Sequence, residues 1–261
     1  MNSLLIFPAE LASPCRAVLR GKRFDQANAA QSLQMGNKLR VSLLGGGRGF
    51  AIVTALSAGV VELQLDELEL PLPRLPLHLV VAVPRPQTLK KVLFSAANLG
   101  VAALHFVRSA NVEKSYLKSH SLRQESIQKE IYKALEQSTD SLPPRVCVHD
   151  RFRPFVEDIL PAELADFSPN AARLVCQSAS EPRALLSRSV LPRSAACCYC
   201  IGPEMGWNDF ELQLFRRVGF EEYDLGERIL RVEVAVDVVL GQALLCQHSA
   251  VDFKARVSTN S

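Results

Sequence analysis

The stretch Leu70-Pro71-Leu72-Pro73-Arg74-Leu75-Pro76 places three prolines within six positions. Each proline fixes φ and removes a backbone donor, so neither a helix nor a central strand passes through such a segment. The chain differs in texture on its two sides. Before it, Lys38 to Leu44, Phe50 to Thr54 and Val60 to Leu65 are short strand-like runs, separated by Gly45-Gly46-Gly47-Arg48-Gly49 and Ser57-Ala58-Gly59. These are hairpin signals, and they predict a small β-barrel or meander. After it, Leu77 to Val83 is almost continuously apolar, as in a strand covered on both faces. Leu89, Val92, Leu93, Ala96 and Ala97 then recur at helical spacing within Thr88 to Leu99, Gly100 supplies a stop, and Ala102 to Val107 returns to strand. This β-α-β unit opens a parallel sheet. The expected division is therefore a strand-rich domain over 1–72 and an α/β domain over 73–261.

The α/β half continues in the same pattern. Ile127, Ile131 and Leu135 stack on one face of a helix expected over Ser121 to Gln137, and Pro143-Pro144 closes that region. Strands are expected at Arg145 to His149, Arg173 to Cys176 and Ala195 to Ile201, with one or two short helices between Phe152 and Phe167. Asn208 with Glu211 three residues later forms a capping box for a helix ending near Val218, before Gly219. A last helix is expected over Glu233 to Gln247, burying Val236, Val239, Leu240 and Leu244.

Composition excludes several classes. With 261 residues, 48% apolar and 22% charged, the chain has ample material for a core and needs no disulfide or metal staple. A formal charge of +3 excludes a supercharged nucleic-acid tail. Locally, however, Arg16, Arg20, Lys22, Arg23, Lys38 and Arg40 face only Asp25 before Glu62. That run reads either as a solvated face or as a patch that meets phosphates. Of the seven cysteines, Cys197, Cys198 and Cys200 sit in an apolar strand and read as small buried hydrophobes. No paired C-x2-C spacing is present and the five histidines are not near those cysteines in sequence, so no metal site is expected. Free thiols imply a reducing compartment, either the cytoplasm or an organelle. The start of the chain is a poor signal peptide, and no apolar run reaches the roughly 18 residues of a membrane span. Gly45 to Gly49 lacks the following helix and the Lys-Ser/Thr ending of a phosphate loop, so these are turn glycines.

Two segments carry chemistry. Ile201-Gly202-Pro203-Glu204-Met205-Gly206-Trp207 leaves a strand and enters the capped helix, the position where open α/β sheets place ligands. The same residues would also serve as a plain tight connection. Leu225-Gly226-Glu227-Arg228-Ile229-Leu230-Arg231-Val232-Glu233-Val234-Ala235 offers Arg228 and Arg231 to a carbonyl or phosphate, or to Glu227 and Glu233 on a wet face. No Gly-x-Gly-x-x-Gly follows the first strand of the β-α-β unit, which argues against a dinucleotide oxidoreductase.

Together these segments resemble the 16S ribosomal RNA uridine-N3 methyltransferase family of the SPOUT superfamily. IGPEMGW at 201–207, Glu211, Gly219-Phe220 and LGERILRVEVA at 225–235 match its two tail signatures in sequence and separation. Asn98-Leu99-Gly100-Val101, Arg108-Ser109, Ala134-Leu135-Glu136-Gln137-Ser138 and Val18-Leu19-Arg20 extend the likeness over nearly the whole chain.

The resemblance implies a fold of class α/β: a SPOUT-type C-terminal domain with a deep trefoil knot and a parallel sheet, preceded by a small PUA-like β-barrel that grips RNA. It implies a cytoplasmic homodimer acting with S-adenosylmethionine on small-subunit ribosomal RNA, free or in the assembled subunit. By the same carry-over, the cofactor residues are Ile201, Gly202, Pro203, Glu204, Gly206, Leu225, Gly226, Ile229, Leu230 and Arg231, with Leu174, Val175 and Cys176 beside them. Arg231 is the candidate for stabilising the uracil anion, and Glu204 for organising the pocket or accepting a proton. Arg16, Arg20, Lys22, Arg23 and Arg108 are the candidate RNA contacts. The chain departs from the family at Met205 (for glycine), at Val234 (for threonine) and at Thr139-Asp140, where an arginine is usual. Pro14, Cys15 and Arg16 occupy the neighbourhood of a missing histidine. These departures leave open another target nucleotide, or an RNA-binding homologue with feeble catalysis.

Overall fold

The computed structural model describes residues 2–168, 171–177 and 196–258. It divides into two compact units, Met1–Arg74 with Gln128–Pro143, and Leu75–Ile127 with Pro144–Ser261. The expected single cut at 72/73 lies close to the first junction, but the return of Gln128–Pro143 to the first unit was not foreseen. That return rests on contacts far apart in sequence: the N–H groups of Asn2 and Ser3 both donate to the Glu136 carbonyl at 3.0 Å.

The first unit holds β1 (Leu4–Ile6), β2 (Leu11–Ser13), β3 (Arg16–Arg20), α1 (Lys22–Gln31), β4 (Lys38–Leu43), β5 (Arg48–Ser57) and β6 (Val60–Leu65). Its six strands run in the order β1-β4-β5-β6-β3-β2, with β1 and β4 parallel and the other neighbours antiparallel. Period-two alternation decides which face is dry: Val61, Leu63 and Leu65 of β6 join Ala17 and Leu19 of β3 in one core, while Gln64 stays wet. The helix α1 was not expected among strands. Only Ala27 of it is buried, so its sequence carries too weak a stripe to announce a helix. Asp140, read as an anion in place of a functional cation, is buried. Its carboxylate accepts the Ser141 N–H at 2.6 Å and the Leu142 N–H at 3.3 Å, and so it shapes a turn.

The second unit holds β7 (Leu75–Ala82), α2 (Pro86–Asn98), β8 (Val101–Val107), α3 (Lys114–Leu117), the start of α4 (Gln124–Ser138) and β9 (Arg145–His149). A broken helical segment follows: α5 (Phe152–Pro154), a π turn at Phe155–Ile159 and α6 (Leu160–Glu163). Then come β10 (Ala172–Cys176), β11 (Cys197–Ile201), α7 (Asp209–Arg217), β12 (Glu221–Tyr223) and α8 (Val232–Ser258). Ala195, the expected start of β11, lies outside the described residues. The sheet is parallel throughout, in the order β12-β10-β11-β7-β8-β9. Its register pairs Cys176 with both Ile201 and Tyr223, so β10, β11 and β12 end together.

Burial raises the thiol pKa of Cys176, Cys197 and Cys200, that of Cys197 up to about 12. Among the described residues, no helix is long and apolar enough to cross a membrane.

His105, on β8 next to the edge strand β9, is fully buried and packs against His149 and Phe155. Desolvation, helped by His78, His149 and Arg145 and opposed by Glu163, lowers its pKa from 6.5 to about 3. Between those values the unfolded chain takes up a proton that the folded chain refuses. Stability must therefore fall as pH drops from about 6.5 toward 3, by up to about 1.4 kcal/mol per pH unit for this group. Denaturant unfolding of the metal-free protein near neutral pH and at about pH 5 measures this slope. His105→Phe is expected to flatten it, and an unchanged slope in that variant would contradict the assignment.

Candidate functional site

The connection from β11 to α7 is built to bring backbone close to backbone. At Gly202 a β-carbon would stand 3.2 Å from the Trp207 nitrogen and 3.3 Å from the Gly206 carbonyl carbon, closer than ordinary side-chain contacts. Gly206 takes φ of +71°, and its N–H donates to the Pro203 carbonyl at 2.8 Å. Met205 does not occupy the left-handed region, and its side chain is 81% exposed. The departure from glycine at this position is therefore accommodated without backbone strain.

Asn208 caps α7 as expected, accepting the Glu211 N–H at 2.8 Å, while a Glu211 oxygen accepts the Asn208 N–H at 3.0 Å. The structure adds a role that the capping pattern did not contain. The other Glu211 oxygen accepts the Ala110 N–H at 2.8 Å, and Asn111 donates to the Gly206 carbonyl at 3.1 Å. The buried carboxylate thus ties the loop after β8 to the loop after β11.

The loop between β12 and α8 supplies the second wall. Asp224 accepts the Gly226 N–H at 2.9 Å, a side-chain turn two residues long, and the first turn of α8 closes through Ala235 N–H to the Arg231 carbonyl at 2.9 Å. Gln177, just beyond β10, donates its N–H to the Tyr223 carbonyl at 3.1 Å.

These walls enclose a cavity of about 420 Å³. Of the expected cofactor residues, Cys176, Ile201, Gly202, Pro203, Glu204, Gly206, Leu225, Gly226, Ile229, Leu230 and Arg231 line it. Leu174 and Val175 do not; they are buried within β10, and only the last residue of that strand reaches the cavity. The lining also includes Gln177, Met205, Asp224, Arg228, Val232 and Ala235. Asp224 was legible as an Asx-turn residue two positions before glycine, whereas Gln177 carries no local signal. Arg231 is exposed at the rim, and the neighbouring Glu233 binds Lys91 at 3.1 Å. Glu204 pairs with Arg85 at 3.4 Å across the mouth of the loop. Val234 is 42% exposed on α8 and is not among the lining residues.

The candidate RNA contacts separate into two groups. Arg16 pairs with Glu62, and Arg23 is held internally by Glu10 at 2.7 Å, by the Leu5 carbonyl at 2.6 Å and over the Phe7 ring at 4.7 Å. Arg20, Lys22 and Arg108 are exposed, and among the described residues their side chains make no ion pair.

A parallel α/β unit whose cavity lies where three adjacent strands end is a small-molecule-binding catalytic domain of the open-sheet type. The chain belongs to the RNA methyltransferase domain family, whose profile matches residues 71–244. It is 27% identical over 251 residues to the ribosomal RNA small subunit methyltransferase E of Treponema pallidum, covering 95% of this chain and 92% of that one. It is 31% identical over 216 residues to the protein of the same name from Synechocystis, covering 80% of this chain and 66% of that one. Among solved structures, the fold matches a ribosomal RNA small subunit methyltransferase E from Neisseria gonorrhoeae bound to S-adenosyl methionine, with a TM-score of 0.73, 20% identity and coverage of 92% and 96% of the two chains.

Glu211→Ala removes a buried carboxylate that accepts the part-buried N–H groups of Asn208 and Ala110, and is expected to cost about 2–3 kcal/mol in chemical denaturation. Loss of less than about 0.5 kcal/mol would contradict the tie between the loops.

Proposed function

We propose that this protein methylates N3 of a uridine in small-subunit ribosomal RNA, using S-adenosylmethionine held in the cavity between the two glycine loops. The observation that carries this reading is the convergence on one cavity of residues 201–206 and 225–231, which are 19 or more positions apart in sequence. Its relatives are ribosomal RNA small subunit methyltransferases, which suggests the substrate class, and the Neisseria protein is bound to S-adenosyl methionine, which suggests the cofactor.

The cavity suits a nucleoside-bearing cofactor. Ile201, Leu230, Val232 and Ala235 give it an apolar wall, while Gly202, Gly206 and Gly226 allow backbone to approach a ligand closely. Bound S-adenosylmethionine would supply a methyl group already activated by its sulfonium. The protein's task is then to hold the base in line and to let the N3 proton leave. Arg231, at the rim, stabilises negative charge on the base oxygens as that proton departs. Glu204, held by Arg85, orders the loop at the mouth of the cavity.

In this reading the first unit is a PUA-like barrel that grips RNA through Arg20 and Lys22, the parallel unit carries the SPOUT trefoil knot, and the protein works as a cytoplasmic homodimer. Seven free cysteines suit a reducing compartment, and Met205 and Ile229, 81% and 91% exposed beside the cavity, suit a face covered in an assembly.

Incubation with small-subunit RNA, free or in assembled particles, followed by nucleoside mass analysis tests the proposal. The expected product is 3-methyluridine, and Arg231→Ala is expected to lower its rate of formation by about 100-fold. A different methylated nucleoside would move the target, and no methylation on either substrate would overturn the reading. The double variant Arg20→Ala, Lys22→Ala is expected to weaken RNA binding and to lower the salt slope by about 1–2. An unchanged slope would remove these residues from the RNA interface.

A further inference from the structure

The second unit contains a cluster of metal-ligating side chains that the proposed reaction does not use. In the parallel register Ala103 of β8 pairs with His78 of β7, and His105 of β8 pairs with Cys147 of β9. Side chains two residues apart on a strand share a face, so His78, His105, Cys147 and His149 all project from the same side of the sheet. Phe155 and Phe167, from the segment between β9 and β10, pack over them.

Apolar residues would fill such a layer at less cost, because a buried imidazole needs partners for both nitrogens. Here Nδ1 of His105 lies 3.2 Å from Nε2 of His149, while the buried Nε2 of His105 and Nδ1 of His78 have no hydrogen-bond partner among the described residues. Donor atoms of His105, Cys147 and His149 all lie within 4.8 Å of one another. Two nitrogens bound tetrahedrally to zinc at about 2.0–2.1 Å stand about 3.3 Å apart, so the imidazole pair already has the spacing of one tetrahedral edge.

We propose that His105, Cys147 and His149 form a binding site for a thiophilic divalent cation of the zinc class. Binding replaces the contact between the two rings with two N–metal bonds and exchanges the thiol proton of Cys147 for an S–metal bond, releasing that proton to solvent. The fourth position is left to water. Metal ligands commonly face a carboxylate with their second nitrogen, and a Glu163 oxygen falls within 4.8 Å of ring nitrogens of His105 and His78. Arg145 brings a positive charge close to the site, donating toward the Cys147 sulfur at 3.7 Å. It is itself paired with Glu163, and Asp150 lies beside His149. Of the three ligands His149 reaches a cavity of about 330 Å³ beside edge strand β9, which Asp150, Lys118 and Arg123 also line. The site is independent of the methyl-transfer reading and would fasten β9 to β8.

The test uses the full chain, stripped with chelator and then titrated with Zn²⁺ and, separately, with Co²⁺. The expected result is a single zinc per chain retained through dialysis, and a cobalt spectrum with tetrahedral visible bands and a thiolate charge-transfer band in the near ultraviolet. Cys147→Ser should abolish the thiolate band, and His149→Gln should weaken zinc binding at least tenfold, with both variants showing wild-type circular dichroism in chelator. Protection of the Cys147 peptide from iodoacetamide by zinc provides a readout on the unmodified chain. No retained zinc and no protection would overturn the proposal. So would binding that persists unchanged in both variants, which would locate the metal elsewhere on the surface.

Discussion

The carboxylate of Glu211 joins the loop after β8 to the start of α7. One oxygen caps α7 through the Asn208 N–H, and the other receives the Ala110 N–H from the loop after β8. Asn111, the next residue in that loop, then holds the Gly206 carbonyl. A buried carboxylate is costly unless it is fully hydrogen-bonded, and here its bonds are made to groups that would otherwise be orphaned at a helix start and a strand end. The glycine loop, so fixed, provides one wall of the cavity. The parallel register sets Gln177 and the loop between β12 and α8 beside it, because Cys176 is paired with both Ile201 and Tyr223.

This arrangement explains why two motifs so distant in sequence belong to one site. It also explains the tolerance of Met205. The left-handed conformation falls on Gly206 and the close approach on Gly202, so the position between them can carry a side chain into solvent. Asp140 is similarly accounted for: its carboxylate serves the turn that follows Ser138.

Much of the parallel unit was legible in the sequence because its signals are local. The continuous apolar runs of β7 and β8, the stripe of α2 and the Asn208–Glu211 cap each declare themselves within a dozen residues. The tail motifs located most of the cavity, whereas Leu174 and Val175, also expected beside the cofactor, are not in its lining and lie buried within β10. What stayed hidden is non-local or weakly patterned. The helix α1 buries a single alanine, and Gln128–Pro143 joins the first unit through contacts to Asn2 and Ser3. The cluster of His105, Cys147 and His149 depends on strand register, with no short ligand spacing to mark it. Arg23, read as an RNA contact, turned out to be held by Glu10 and a backbone carbonyl, a pairing that charge counting cannot reveal.

The central claim is that the cavity between the two glycine loops holds S-adenosylmethionine, and calorimetric titration of the purified protein tests it most directly. Saturable binding of S-adenosylmethionine and of S-adenosylhomocysteine, weakened in Gly202→Val, is the predicted result, because a β-carbon there would press on the Gly206–Trp207 backbone. Absence of heat for both ligands, with the folded protein alone and again with small-subunit RNA present, would contradict the account.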